Sequence, residues 1–169
     1  GASTGFVGGD RKFGPILEKQ RIASDESLAL LRSSLDVFDA NAYGPSLVGR
    51  METARDSLVQ LAEVRDGIDR RALTVTEVAG YYASVNAALI GVIGEMAALC
   101  SDAAVASQIM AYTVFLQTKE KAGLERAMGS AGFSAGGFTP AVYRRFLQLI
   151  AEGATLLAVF VSHATDDQN

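Results

Sequence analysis

The chain has few of the residues that metal centres and hydrolytic active sites require. Its 169 residues include one Cys, one His and no Trp. A single Cys excludes an internal disulfide framework and a Cys-rich zinc site. A single His excludes a multi-histidine metal centre and leaves little for a His-based triad. No nucleophile, base and orienting group converge at helical spacing, so we expect no enzyme activity, no metal and no cofactor.

Basic charge and long apolar runs are also scarce. The net charge is −4, without the basic excess that nucleic-acid-binding proteins usually show, so no nucleic-acid partner is expected. The longest apolar run, around residues 156–161, falls well short of the roughly 20 residues that cross a bilayer. Residues 1–9 do not resemble a secretory signal peptide.

What the chain does have is helical patterning in a single domain, residues 1–169. Pro15, Pro45 and Pro140 each stand at the start of a long segment, where proline suits the first helical turn. Thr74 and Glu77 fit a capping box. The sequence therefore predicts an all-α fold, an antiparallel bundle of about five long helices at residues 15–36, 46–68, 75–101, 102–131 and 140–164.

Apolar residues repeat along these segments with alternating spacings of four and three, which is typical of bundle helices. Residues 72–118 contain no Lys or Arg, so the third helix is expected to be the most enclosed. The pattern favours a central helix, and a dimer face remains the alternative. The residues that form the third-helix stripe are Val78, Tyr82, Val85, Leu89, Val92, Met96 and Leu99.

Two arginines occupy positions that the apolar pattern reserves for hydrophobic residues. Arg65 lies between Leu61 and Ile68 on the second segment, and Arg126 continues the stripe of the fourth. A guanidinium inside a bundle stays charged and needs an anion or several acceptors around it. Both are candidate ligands of a small anion. The alternatives are a buried ion pair and an arginine that reaches solvent at a helix end.

Small residues surround Arg126 on its helix. Gly123, Gly129 and Ser130 lie three or four positions away, and glycine inside a helix costs about 1 kcal/mol relative to alanine. They indicate either room for an anion or close packing of two helices. Arg21 is a third possible ligand, although Asp25, four residues later, is expected to pair with it.

The block at residues 119–127 reads K-E-K-A-G-L-E-R-A and is followed by M-G-S-A-G-F and V-Y-R-R-F. It resembles the most specific motif of the nitrate- and nitrite-sensing (NIT) domain family. L-A-E-V-R-D-G-I-D at residues 61–69 and Q-R-I-A-S-D at residues 20–25 resemble two weaker elements. Residues 1–7 look like the tail of its E-R-G-x-S-x-G motif. Residues 1–9 would then be the tail of a truncated N-terminal helix, and the Glu and Arg of the motif would immediately precede Gly1.

The resemblance implies a sensor domain of a bacterial signalling receptor, and we expect this receptor to be a chemoreceptor. It would bind nitrate or nitrite through Arg65 and Arg126, helped by an arginine before Gly1. It would lie in the periplasm as a homodimer, meeting the membrane only through flanking spans outside this sequence, although a cytoplasmic sensor is also possible. The alternatives are a sensor for another small anion or carboxylate, and a dimerisation module without a ligand.

Overall fold

The computed structural model describes residues 1–9, 12–134 and 136–164. Every regular element in this part of the chain is helical. The helices are α1 (Ala2–Val7), α2 (Phe13–Asp36), a short 3-10 turn (Ala40–Tyr43), α3 (Pro45–Val59), α4 (Leu61–Asp69), α5 (Val75–Leu99), α6 (Ala103–Ser134) and α7 (Pro140–His163). The predicted all-α bundle is therefore confirmed, and its long helices agree with the predicted ranges to within a few residues.

The predicted second helix, 46–68, is wrong in one respect, because the structure divides it at Gln60. Gln60 ends α3 and begins α4 with φ −80° and ψ 0°. Its carbonyl accepts the amide of Val64 at 2.9 Å, so the chain re-enters a helix immediately after the break. Ile68 of α4 is completely buried. The first residues of the chain form a short helix of their own, α1.

Local side chains fix the helix starts that the sequence indicated. The Thr74 hydroxyl accepts the amide of Glu77 at 3.2 Å, and the Glu77 carboxylate accepts the amide of Thr74 at 2.7 Å. Asp102 accepts the amides of Ala104 and Val105 in the same way at the start of α6. These bonds satisfy donors that a helix N-terminus leaves without partners.

The helices α3, α5, α6 and α7 pack side by side in that order. Helix α5 lies between α3 and α6 and also contacts α1, which agrees with the central position that the pattern favoured. The short helix α1 contacts α2, α4, α5 and α6, so it joins the first half of the chain to the second.

Two clusters of buried side chains form the core, and neighbouring residues of α5 belong to each. Val78 packs in the first cluster and Ala79 in the second. Adjacent helical residues point about 100° apart, so α5 serves both clusters at once. The first cluster is built on Ala2, Leu17, Ile68 and Val78, and the second on Ala79, Ala127, Met128 and Leu149.

Two helices of the described chain are long and apolar enough to cross a membrane. They are Val75–Leu99, with a mean hydropathy of 1.4, and Pro140–His163, with 1.5. Neither is an uninterrupted apolar run, which is why counting consecutive apolar residues did not find them. Core helices of globular bundles meet the same criterion, so it assigns no location to this chain.

Candidate functional site

Arg126 lies on α6 beside the first residue of the chain. The residue is exposed, so the enclosed position that the apolar stripe predicted for Arg126 is wrong, and its side chain forms no hydrogen bond or ion pair with any residue that the structure describes. Partial burial lowers the pKa of the Gly1 amino group, and the positive charge of Arg126 lowers it further. The negative charge of Glu120 acts in the opposite direction. Arg126, Glu120 and the start of α1 therefore share one local electrostatic environment.

Glu120 is held in place by a residue of the neighbouring helix. Asn86 of α5 donates a 2.7 Å hydrogen bond from Nδ2 to Glu120 Oε2. Thr4, which is buried, ties down the start of α1 because its hydroxyl donates to the Gly1 carbonyl at 2.8 Å. The sequence offered no reason to single out these two residues, because Asn86 acts across the contact between α5 and α6 and Thr4 acts within the first turn of α1.

The small residues around Arg126 do two different things. A Cβ added at Gly123 would meet no atom within 4 Å, so this position faces open space. A Cβ at Gly129 would lie 3.3 Å from the Phe146 ring, which shows close packing of α6 on α7. Ser130 is exposed. Gly123 therefore fits the prediction of room near the arginine, whereas Gly129 follows the alternative of tight helix packing.

Arg21 and Arg65 are paired with carboxylates. Arg65 Nη1 donates to Asp25 Oδ1 at 2.6 Å, and Arg21 Nη1 lies 2.9 Å from both oxygens of Asp69. The expected pairing of Arg21 with Asp25 within α2 is wrong. An arginine four residues before an acid is the less favourable order along a helix, because it opposes the helix dipole.

The crossed pairs hold α2 against α4. Arg21 also donates from Nη2 to the carbonyl of Arg65 at 3.2 Å. A cleft of about 370 Å³ opens beside the pairs, lined in part by Phe6, Leu17 and Asp69. Arg126 does not line it. The two predicted ligands have different neighbours, because Arg65 is paired with Asp25 whereas Arg126 lies near Gly1 and Glu120.

The chain matches the family described as nitrate and nitrite sensing, NIT, over residues 1–169. It is 28% identical over 126 residues to the nitrate regulatory protein of Klebsiella oxytoca, covering 75% of this chain and 32% of that protein. It is also similar to the structure of the NasR transcription antiterminator, with a TM-score of 0.91 and 25% identity, covering 98% of this chain and 45% of that one. The chain thus spans less than half the length of both relatives, and the match over its whole length shows that it belongs to the NIT family.

Proposed function

We propose that this chain is the sensing module of a bacterial signalling protein and binds nitrate or nitrite at Arg126. Family membership supports the identity of the ligand. The geometry supports the position, because Arg126 is the candidate arginine that no described carboxylate neutralises. Its role is sensing, with no chemical step.

The chemistry of the ligand suits this arginine. Nitrate is planar with three equivalent oxygens, and a guanidinium offers two parallel N–H donors in one plane. The open space at Gly123, one turn before Arg126, leaves room for an ion on that side of α6. An arginine directly before Gly1, which the family motif implies, would add a second positive charge from α1.

A site between α1 and α6 also offers a way to transmit occupancy. The short helix α1 touches four other helices. An anion that binds one arrangement of α1 and α6 more tightly than another shifts the population toward that arrangement. A helix displacement of about 1–2 Å is sufficient in known switches.

Arg65 and Arg21 have a structural role in this proposal. Each already has a carboxylate within hydrogen-bonding distance, and an anion would have to displace that partner. The paired Arg65 is the one observation that favours the alternative of a bundle without a ligand. Arg126 has no described carboxylate partner, so an anion would displace no such partner there.

The type of protein that carries this sensing module, and its location, belong to the proposal as well. The two relatives are a nitrate regulatory protein and a transcription antiterminator, so the expected chemoreceptor setting and periplasmic location remain predictions. Expression of the natural full-length protein, followed by membrane fractionation, would distinguish a receptor with flanking spans from a regulator without them.

Calorimetric titration with sodium nitrate and sodium nitrite tests the ligand and the site together. We expect heat of binding for the wild-type chain, with a larger affinity when its natural upstream residues are included. Arg126→Ala is expected to abolish binding. Arg144→Ala is the matched control, because Arg144 is exposed on α7 and forms no ion pair with a described residue.

Two results would contradict the proposal. Absence of binding by the extended wild-type chain would remove nitrate and nitrite as ligands, and titration with acetate and other short carboxylates would then test the other class of anion. Unchanged affinity in Arg126→Ala, with loss in a correctly folded Arg65→Ala, would move the site to the α2–α4 pairs.

A further inference from the structure

Arg71, two residues after the end of α4, adopts a backbone conformation that arginine rarely takes. Its φ is +53°, and every other described residue with a positive φ is a glycine. The Arg71 amide donates to the carbonyl of Ile68 at 3.0 Å, and the amide of Ala72 donates to the carbonyl of Gly67 at 2.9 Å. These two bonds form a Schellman motif, in which glycine usually holds the left-handed position because a Cβ is strained there. An arginine at this position therefore indicates a role for its side chain.

The side chain of Arg71 covers an aromatic ring of α1. Its guanidinium carbon lies 4.9 Å from the centre of the Phe6 ring, a distance at which a cation is attracted to the face of the ring. Phe6 is the largest side chain of α1 and is only partly buried against the first core cluster. The buried residues of α1, Ala2 and Thr4, are small. The contact between Arg71 and Phe6 thus joins α1 to the turn between α4 and α5.

A neighbouring residue of α1 is held by a different element. A Cβ added at Gly5 would overlap the ring of Phe13, so α1 packs closely on α2 at this point. Adjacent helical residues point about 100° apart, and Gly5 and Phe6 therefore anchor two sides of α1. Loss of the ring contact alone leaves the packing on α2 in place. We expect it to free the orientation of α1 without unfolding the chain.

We propose that Arg71 is a positioning residue of the anion site, because it holds α1 in the orientation that places the start of α1 beside Arg126 on α6. This inference rests on the proposed function. Phe6 lies four residues after Ala2, about 6 Å along the helix axis, so a contact that holds Phe6 also restrains the first turn of α1. An anion that requires this orientation binds less tightly when only a fraction of the chains adopt it.

Calorimetric titration of the extended chain with sodium nitrate measures the effect. In Arg71→Gln the affinity is expected to fall by about two- to fivefold, which corresponds to the energy of an exposed cation–π contact. Arg71→Lys keeps a cation for the ring and is expected to restore most of the wild-type affinity. Arg70→Gln is the matched control, because it removes the neighbouring positive charge, which pairs with Asp66, and is expected to leave the affinity unchanged.

Arg71→Gly separates positioning from general stability. Glycine adopts the left-handed conformation without strain but supplies no cation to the ring. The affinity for nitrate is therefore expected to fall as in Arg71→Gln, while the free energy of unfolding in urea is not expected to fall. A variant that binds nitrate as tightly as the wild-type chain would overturn the inference. So would a loss of stability that parallels the loss of affinity, since that would indicate a structural role only.

A double-mutant cycle distinguishes the ring contact from the charge of Arg71. Phe6→Leu keeps the charge and removes the ring, and it is expected to lower the affinity by a similar factor. The double variant Arg71→Gln with Phe6→Leu is expected to bind nitrate no more weakly than either single variant, because both remove the same contact. Additive losses would mean that Arg71 acts through its charge alone and would overturn the inference. Unchanged affinity in Arg71→Gln would also overturn it.

Hydrogen exchange of the α1 amides, measured without nitrate, distinguishes a failure of this inference from a failure of the proposed function. The amides of Gly5 and Gly8 donate to the carbonyls of Gly1 and Thr4. They are expected to exchange about two to five times faster in Arg71→Gln than in the wild-type chain. If the wild-type chain binds no nitrate, the proposed function fails, and faster exchange would still show that Arg71 holds α1. Equal exchange in the two proteins would overturn the inference.

Discussion

Arg65 on α4 donates a 2.6 Å hydrogen bond to Asp25 on α2, forty residues earlier in the chain. Each of these helices carries an arginine followed four residues later by an aspartate. The pairing of Arg21 with Asp69 and of Arg65 with Asp25 shows that the two segments run antiparallel. Two identical short patterns therefore satisfy each other across an interface, and neither forms its own i to i+4 pair.

Asp25→Asn should loosen the attachment of α2 to α4. The aspartate is about half exposed while Arg65 is mostly covered, so we expect a loss of about 1 kcal/mol in the free energy of unfolding. Urea denaturation measures it, and the loss should shrink at high salt. Asp66→Asn is the control, because its pair with Arg70 is well exposed on both sides and should contribute less. Equal losses in the two variants would show that the crossed pairs have no special role.

Gly123→Ala should separate the stability of α6 from its ligand site. Alanine in the helix interior is expected to stabilise the chain by about 1 kcal/mol, since the new methyl group meets no atom. If nitrate occupies the open space beside Arg126, the affinity for nitrate should fall. Gly80→Ala on α5, which also meets no atom, should stabilise without changing affinity. Thermal unfolding and calorimetric titration of both variants provide the comparison.

Ile68→Ala should be one of the most damaging single substitutions in the chain. Ile68 is 0% exposed in the cluster that joins α1, α2, α4 and α5. Truncation of such a residue costs about 2–5 kcal/mol, because it removes buried methyl groups and leaves a cavity. Ile22→Ala is the same chemical change at a site that is 57% exposed, and should cost less than about 0.5 kcal/mol. Chemical denaturation would contradict the assigned core if the two variants lost similar stability.

Glu152 should make the contact between α6 and α7 sensitive to acid. Its carboxylate lies 2.7 Å from Lys121 Nζ and 3.1 Å from Arg145 Nη1. The hydrogen bond from Lys121, with further help from Arg145, lowers the pKa of Glu152 below its usual 4.5. A lowered pKa in the folded state stabilises the protein above the unfolded value and loses this effect as pH falls through the folded value.

The pH dependence of unfolding tests this assignment. Between neutral pH and pH values below 4.5, the wild-type chain should lose more stability than Glu152→Gln does, so the two curves should converge in acid. Glu63→Gln, at an exposed position without an ion pair among the described residues, should follow the wild-type curve. A constant difference between wild type and Glu152→Gln across this range would exclude the proposed linkage.

Much of the local structure could be predicted because its causes are local. The apolar spacing located the long helices, and the capping box of Thr74 and Glu77 marked one of their starts through hydrogen bonds that span three residues. The break at Gln60 could not be predicted, because glutamine is a good helix former and no proline or glycine marks the position.

The sequence by itself determined that this chain is helical, where its long helices begin and to which family it is similar, because periodicity, capping and motif residues act over a few neighbouring positions. Only the tertiary structure decided which arginines are paired. Arg65 and Arg126 look alike in the sequence, each on an apolar stripe, yet one meets Asp25 and the other remains exposed beside Gly1. That difference depends on how helices dock across many residues, since a guanidinium is neutralised by charges within a few ångströms in space, whatever their distance along the chain.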